Sequence, residues 1–129
     1  MFMENLNTVK ILVADDNSTN QRLLEIYLKQ KGWDCCLVSD GQKAVEEALK
    51  NRYDLILMDI NMPRMNGIQA TVAIRNTNQS VPIIALTVFD EEEVKISSKE
   101  AGINYFLAKP CRKEELISII SQYLPILPV

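Results

Sequence analysis

The chain has 129 residues, 47% hydrophobic and 24% charged, with a formal net charge of −3 and a pI near 5.0; this fits one self-sufficient globular domain and argues against a nucleic-acid backbone binder, which needs clustered Lys and Arg. It contains no histidine, so Ser/His and Cys/His catalysis, His-ligated zinc and an internal phosphohistidine are excluded. No apolar run reaches the roughly 18–20 residues of a membrane span, and Met1-Phe2-Met3-Glu4-Asn5 lacks the basic start and apolar core of a signal peptide, so a cytoplasmic protein without membrane contact is expected.

Residues 1–7 read as an N-terminal extension. A first strand is predicted over Lys10–Ala14, closed by Asp15-Asp16. A helix is expected to start at Ser18, with Gln21 at capping-box spacing, to bury Leu24, Tyr27 and Leu28, and to end at Gly32. The second strand, Asp34–Val38, carries Cys35 and Cys36. With Cys111 the cysteines are odd in number and two are adjacent, a poor disulfide framework, so reduced and mostly buried thiols are expected. Asp40-Gly41 then turns the chain into a helix that places Ala44, Val45, Ala48 and Leu49 in the core.

A third strand, Leu55–Met58, ends on Asp59, and a fourth, Ile83–Leu86, ends on Thr87. Between Asp90 and Ala101, Glu91, Glu92, Glu93, Lys95, Lys99 and Glu100 leave Val94, Ile96 and Ala101 as the apolar anchors. This helix should form readily, with Glu91 and Glu92 near its N-terminus, yet dock weakly, as a moving part does. The fifth strand, Tyr105–Ala108, is closed by Lys109-Pro110, and Leu116, Ile119, Ile120, Tyr123 and Leu124 line the last helix. Pro125 stops it and leaves residues 125–129 as a short tail. Cys111, Met58, Met62 and Met65 read as packing residues.

Five alternations of strand and helix imply βαβ units and a parallel sheet within a single 1–129 domain. The carboxyl ends of such strands form the crevice where ligands bind, so Asp15, Asp16, Asp59, Thr87 and Lys109 should share one site. Clustered carboxylates repel unless a cation neutralises them. Mg²⁺ suits this set because it takes oxygen ligands and keeps several waters. A carboxylate whose incoming phosphoryl oxygens are neutralised can act as a nucleophile toward phosphorus, with Lys109 and the Thr87 hydroxyl contacting those oxygens.

Together, Ile11-Leu12-Val13-Ala14-Asp15-Asp16-Asn17, Leu57-Met58-Asp59-Ile60-Asn61-Met62-Pro63 with Gly67, Leu86-Thr87 and Ala108-Lys109-Pro110 closely resemble the receiver domains of two-component response regulators, including the single-domain chemotaxis regulator. The resemblance spans almost the whole chain. It implies an α/β flavodoxin-like (βα)5 fold, a five-stranded parallel sheet of order 2-1-3-4-5 with helices on both faces, which binds its ligands where the strand order reverses. It implies Asp59 as phosphoacceptor and Mg²⁺, or Mn²⁺, held by Asp16, Asp59 and the Asn61 backbone carbonyl directly and by Asp15 mostly through water. Lys109 would contact the phosphoryl group and the Lys109-Pro110 bond would be cis. The switch would couple Thr87 to Phe106, which fills the space Thr87 vacates, while Tyr105 points to the other face.

The implied donor is a phosphohistidine on a histidine kinase or phosphotransfer protein, since this chain has none. The implied output is a protein target that reads the face of the fourth helix, fifth strand and fifth helix, on a monomer or a phosphorylation-dependent dimer. Asp15-Asp16-Asn17 with Asn20 is similar to receivers attached to hybrid histidine kinases. Val88 departs from the family pattern, where a small residue follows the switch threonine. With Phe89 it is expected to narrow access to the phosphoryl group and slow phosphorylation or hydrolysis. The alternatives are a degenerate receiver that binds a partner without phosphorylation and an aspartyl-phosphate phosphohydrolase. The second is disfavoured by Asn61 at the position of the general acid in haloacid dehalogenase-type enzymes. A flavin module is disfavoured because Asp15-Asp16 would repel the flavin phosphate.

Overall fold

The computed structural model describes residues 8–78, 80–88 and 92–124, the Glu93 side chain excepted. Its elements alternate: β1 (Lys10–Ala14), α1 (Ser18–Gln30), β2 (Asp34–Val38), α2 (Gly41–Lys50), β3 (Leu55–Asp59), α3 (Gly67–Arg75), β4 (Ile83–Thr87), α4 (Glu92–Ala101), β5 (Tyr105–Ala108) and α5 (Lys113–Tyr123). All strand pairs are parallel and the sheet runs β2-β1-β3-β4-β5, the flavodoxin-like order expected from the sequence. The expected N-terminal extension, residues 1–7, and the tail, 125–129, lie outside the described residues.

Helices on both faces explain why the central strands are apolar without alternation. The pleat sends successive side chains to opposite faces and so divides the interior into two cores. Ile11, Val13, Leu55, Leu57, Ile84, Leu86 and Leu107 meet Leu24 and Leu28 of α1 and Leu116, Ile119 and Ile120 of α5. Leu12, Ala14, Ile56, Met58, Ile83 and Ala85 meet Ala44 of α2 and Ala70 and Ile74 of α3. Cys111 packs against the first core, and Met62 and Met65 against the second.

The structure corrects several local expectations. Asn17, rather than Ser18, caps α1: its side chain accepts from Asn20 N at 2.9 Å, an interaction of about 1 kcal/mol. Gln21 completes no capping box. Its Nε2 donates instead to the Asp15 and Val38 carbonyls at 2.6 and 2.9 Å, tying the end of β1 to the end of β2. Leu49 is 56% exposed rather than core, because it follows Ala48 past the face that α2 turns inward. The three cysteines are free thiols of intermediate burial, since β2 is an edge strand and Cys111 lies in a loop.

Helix α4 begins at Glu92, and the residues expected to precede it, Asp90 and Glu91, lie outside the described residues. Ile96 is not an anchor: it is 52% exposed, and the inward turn is made by Val94 and the fully buried Ser98. The Ser98 hydroxyl has no hydrogen-bond partner among the described residues, a defect worth about 1–3 kcal/mol. The C-terminal end of α4 is fastened better. Arg75 of α3 donates from Nε and Nη2 to the Gly102 carbonyl at 3.0 and 2.8 Å, and from Nη2 to Asn104 Oδ1 at 2.9 Å.

Candidate functional site

The strand order places the ends of β1 and β3 side by side and the end of β5 one strand beyond β4. Backbone bonds set these ends in register: Asp15 N to Val38 O at 3.1 Å, Ile60 N to Leu86 O at 3.2 Å and Lys109 N to Thr87 O at 2.8 Å. The Lys109-Pro110 peptide bond is cis.

Lys109 Nζ lies 3.0 Å from Asp15 Oδ2 and 3.2 Å from Asp59 Oδ2, bridging two carboxylates. The other oxygens are held by the backbone: Asn17 N donates to Asp15 Oδ1 at 2.9 Å and Asn61 N to Asp59 Oδ1 at 3.2 Å. Asp15 is fully buried and Asp59 is 6% exposed, whereas Asp16 is exposed. One oxygen from each of Asp15, Asp16 and Asp59 falls within 4.8 Å of the others. Thr87 is buried at the same edge, and Val88 beside it is 64% exposed. Phe89 lies outside the described residues.

Burial pushes the Asp59 carboxyl above the ordinary carboxylate range; the Lys109 ammonium opposes the shift and the Asp15 charge adds to it. Burial pulls the Lys109 ammonium down, but its bonds and attraction to Asp15 and Asp59 outweigh that and hold it above its ordinary value. The ion pair thus favours the charged lysine, while burial first and the Asp15 charge after it keep the Asp59 carboxyl raised in spite of that pair. Three carboxylates against one ammonium leave a formal excess of two negative charges, which a divalent cation cancels. The donors are all hard oxygens, so the site fits Mg²⁺.

The β3–α3 connection, residues 60–66, carries the Asn61 carbonyl and returns on itself. Gly67 N donates to Ile60 O at 2.8 Å, and a Cβ on Gly67 would stand 2.3 Å from the Asp59 carbonyl oxygen. Only glycine permits that approach. Phe106 is half-buried and packs against the second core. Tyr105 points the other way, its ring 6.2 Å from that of Tyr123.

A cavity of about 270 Å³ opens beside the acidic residues, lined by Asp15, Leu23, Tyr27, Val88, Lys109 and Cys111 among others. From its sequence context Asp40 is expected only to turn the chain into α2. The structure buries it, bonds one oxygen to Lys43 N at 2.8 Å and pairs the other with Arg64 at 3.0 Å. That contact joins positions 24 apart in the chain, and no local pattern announces it.

This combination of sheet and site has close counterparts. The family profile of the response regulator receiver domain matches residues 11–121. Among solved structures, the receiver domain of a sensor histidine kinase from Pseudomonas aeruginosa, with a magnesium ion coordinated in its active-site cleft, is 39% identical with a TM-score of 0.85, covering 90% of this chain and 97% of that one. A chemotaxis response regulator of Vibrio cholerae is 31% identical with a TM-score of 0.86, covering 92% and 100%. Among curated proteins, a hybrid signal transduction histidine kinase of Dictyostelium discoideum is 37% identical, covering 87% of this chain and 7% of its own length. The chain therefore belongs to the receiver domains of two-component signalling systems, and it is a signalling domain rather than an enzyme of the usual kind.

The response regulator ArlR of Staphylococcus saprophyticus is 35% identical, covering 89% of this chain and 52% of its own length. The chain thus spans at most about half the length of these two curated relatives. No helix among the described residues is long and apolar enough to cross a membrane.

Proposed function

We propose that Asp59 is the phosphoacceptor, taking its phosphoryl group from a phosphohistidine on a partner histidine kinase or phosphotransfer protein in the cytoplasm. The observation that carries this reading is the convergence of Asp15, Asp16, Asp59 and Lys109 at one end of the sheet. An Asp59 oxygen forms a bond to phosphorus as the nitrogen–phosphorus bond of the donor breaks, and the electron pair leaves with the imidazole. Lys109, already beside Asp59, contacts a phosphoryl oxygen, and the Thr87 hydroxyl donates to another. Asp16, Asp59 and the Asn61 carbonyl would hold Mg²⁺ directly, with Asp15 acting mostly through water. The ion supplies charge neutralisation for the incoming oxygens.

In this reading the domain is one receiver unit whose phosphorylation shifts a resting–active equilibrium. Thr87 and Phe106 carry the change to the face of α4, β5 and α5, where a protein target reads it. The unpartnered Ser98 hydroxyl and exposed Ile96 support α4 as the element that moves. The test is uptake of beryllofluoride, a phosphoryl mimic, by wild type and Asp59→Asn, each with Mg²⁺ and with EDTA. Uptake that requires both Asp59 and Mg²⁺ is expected. Uptake without either one overturns the assignment, and no uptake by wild type favours a receiver that works by binding alone.

A further inference from the structure

We propose that Asp40 is a positioning residue for the cation and phosphoryl site, acting through Arg64 on the loop between β3 and α3. The proposal rests on the reading of Asp59 and the Asn61 carbonyl given above. Asp40 is 1% exposed. Its Oδ1 accepts from Lys43 N at 2.8 Å and caps α2, while its Oδ2 accepts from Arg64 Nη1 at 3.0 Å. One carboxylate thus fixes a helix start and a site loop together.

Arg64 has φ +66°, a left-handed conformation uncommon for a residue with a Cβ. Met65 N donates to Pro63 O at 2.7 Å, so the chain reverses tightly around Arg64. Such a backbone persists only where its surroundings over-determine it. Here the first turn of α2 does so. Gly41 N donates to Met65 O at 3.1 Å, and a Cβ at position 41 would stand 2.1 Å from that oxygen. The other clasp is the bond from Gly67 N to Ile60 O at 2.8 Å.

Asn61 lies inside the loop closed by these contacts. Its amide already donates to Asp59 Oδ1, so the direction of its carbonyl follows from how the loop is folded. Releasing Arg64 lets residue 64 relax to an ordinary φ and re-aims that carbonyl. The Arg64 side chain is 70% exposed but that of Asp40 is 2% exposed, so removing the arginine also costs stability by leaving a buried carboxylate uncompensated. A lowered melting temperature therefore does not distinguish positioning from support of the fold, and the distinguishing signature is Mg²⁺ affinity in the folded domain.

The test compares Mg²⁺ affinity by titration calorimetry, and beryllofluoride uptake, in the full chain and in Asp40→Asn, Arg64→Met, Arg64→Lys and the double variant Asp40→Asn/Arg64→Met. Asparagine caps a helix as well as aspartate, so α2 keeps its start. Removing an outer partner of a metal site typically weakens binding by about 10–100-fold. About tenfold weaker Mg²⁺ binding is expected for Asp40→Asn and for Arg64→Met, with the double variant no weaker than either and Arg64→Lys recovering part of the loss.

Charge alone predicts the opposite sign for Arg64→Met, since removing a cation near an acidic crevice tightens Mg²⁺ binding. Affinity in Arg64→Met equal to or tighter than wild type overturns the proposal, as do losses that add in the double variant. A wild type that neither binds Mg²⁺ nor takes up beryllofluoride brings down the receiver reading and this inference with it. Normal wild-type binding with unchanged variants brings down this inference alone.

Discussion

Lys109 Nζ stands 3.2 Å from Asp59 Oδ2, an ion pair across the sheet between the ends of β5 and β3, which are separated by β4. The same nitrogen is 3.0 Å from the fully buried Asp15. Lys109→Ala leaves both carboxylates without their cation. Breaking a buried pair in this way typically lowers stability by about 3–5 kcal/mol, and a loss in that range is expected in EDTA. Mg²⁺ should restore more stability to this variant than it adds to wild type. Chemical denaturation with and without Mg²⁺ checks this, and an equal Mg²⁺ increment in both proteins refutes it.

Asp59→Asn should stabilise the cation-free domain at neutral pH while abolishing beryllofluoride uptake. Burial, aided by Asp15, holds the Asp59 carboxyl above its ordinary value of 3.8 despite Lys109. The folded state then binds this proton more tightly than the unfolded state, so stability falls as pH rises from 3.8 through the raised value and stays reduced above it. The gain in Asp59→Asn should therefore open as pH rises from 3.8 through the raised value and persist above it, as a higher Tm than wild type in EDTA. Melts over that pH range measure it, and an advantage that shrinks with rising pH contradicts the assignment.

Gly67→Ala should damage both the fold and the site. Its Cβ would meet the Asp59 carbonyl oxygen at 2.3 Å, a backbone atom that cannot swing aside. Overpacking of this kind lowers stability by about 1–3 kcal/mol, here toward the upper end. Reduced Mg²⁺ affinity should accompany it, because the displaced atom belongs to Asp59. Normal stability and normal affinity together would show that the loop yields.

Val88→Ala should speed turnover of the acyl phosphate about two- to tenfold, a factor of ten corresponding to about 1.4 kcal/mol. Val88 is 64% exposed and lines the cavity that Asp15 and Lys109 also line. A smaller side chain opens the approach of water or donor from that side. Phosphoryl loss followed in a single-turnover assay tests the expectation, and unchanged rates of both gain and loss sink it.

The strands and the charged residues that close them were legible because each strand is a short apolar run that ends in a charged or hydroxyl residue. Sheet order and site assembly follow once the alternation with helices is seen. The starts and outer faces of the helices were less legible. Asn17 and Ser18 are both good caps, and only the backbone angles distinguish them. Ile96, expected as an anchor, is exposed while Ser98 is buried, because burial on α4 follows the angle at which the helix is seated, which hydropathy does not encode. The Asp40–Arg64 pair was illegible for a different reason: Arg64 adopts a backbone angle that its residue type does not advertise.

The site is gathered from widely separated parts of the chain: Lys109 meets Asp15 across 94 positions. A polypeptide leaving the ribosome exposes both aspartates early and acquires the lysine only near the end of the domain. Until β5 inserts, the crevice is an uncompensated anionic edge, and a copy clipped before that strand cannot complete it. The neutralising charge of the crevice is therefore the last part of the site to arrive, and it arrives only with the fifth strand.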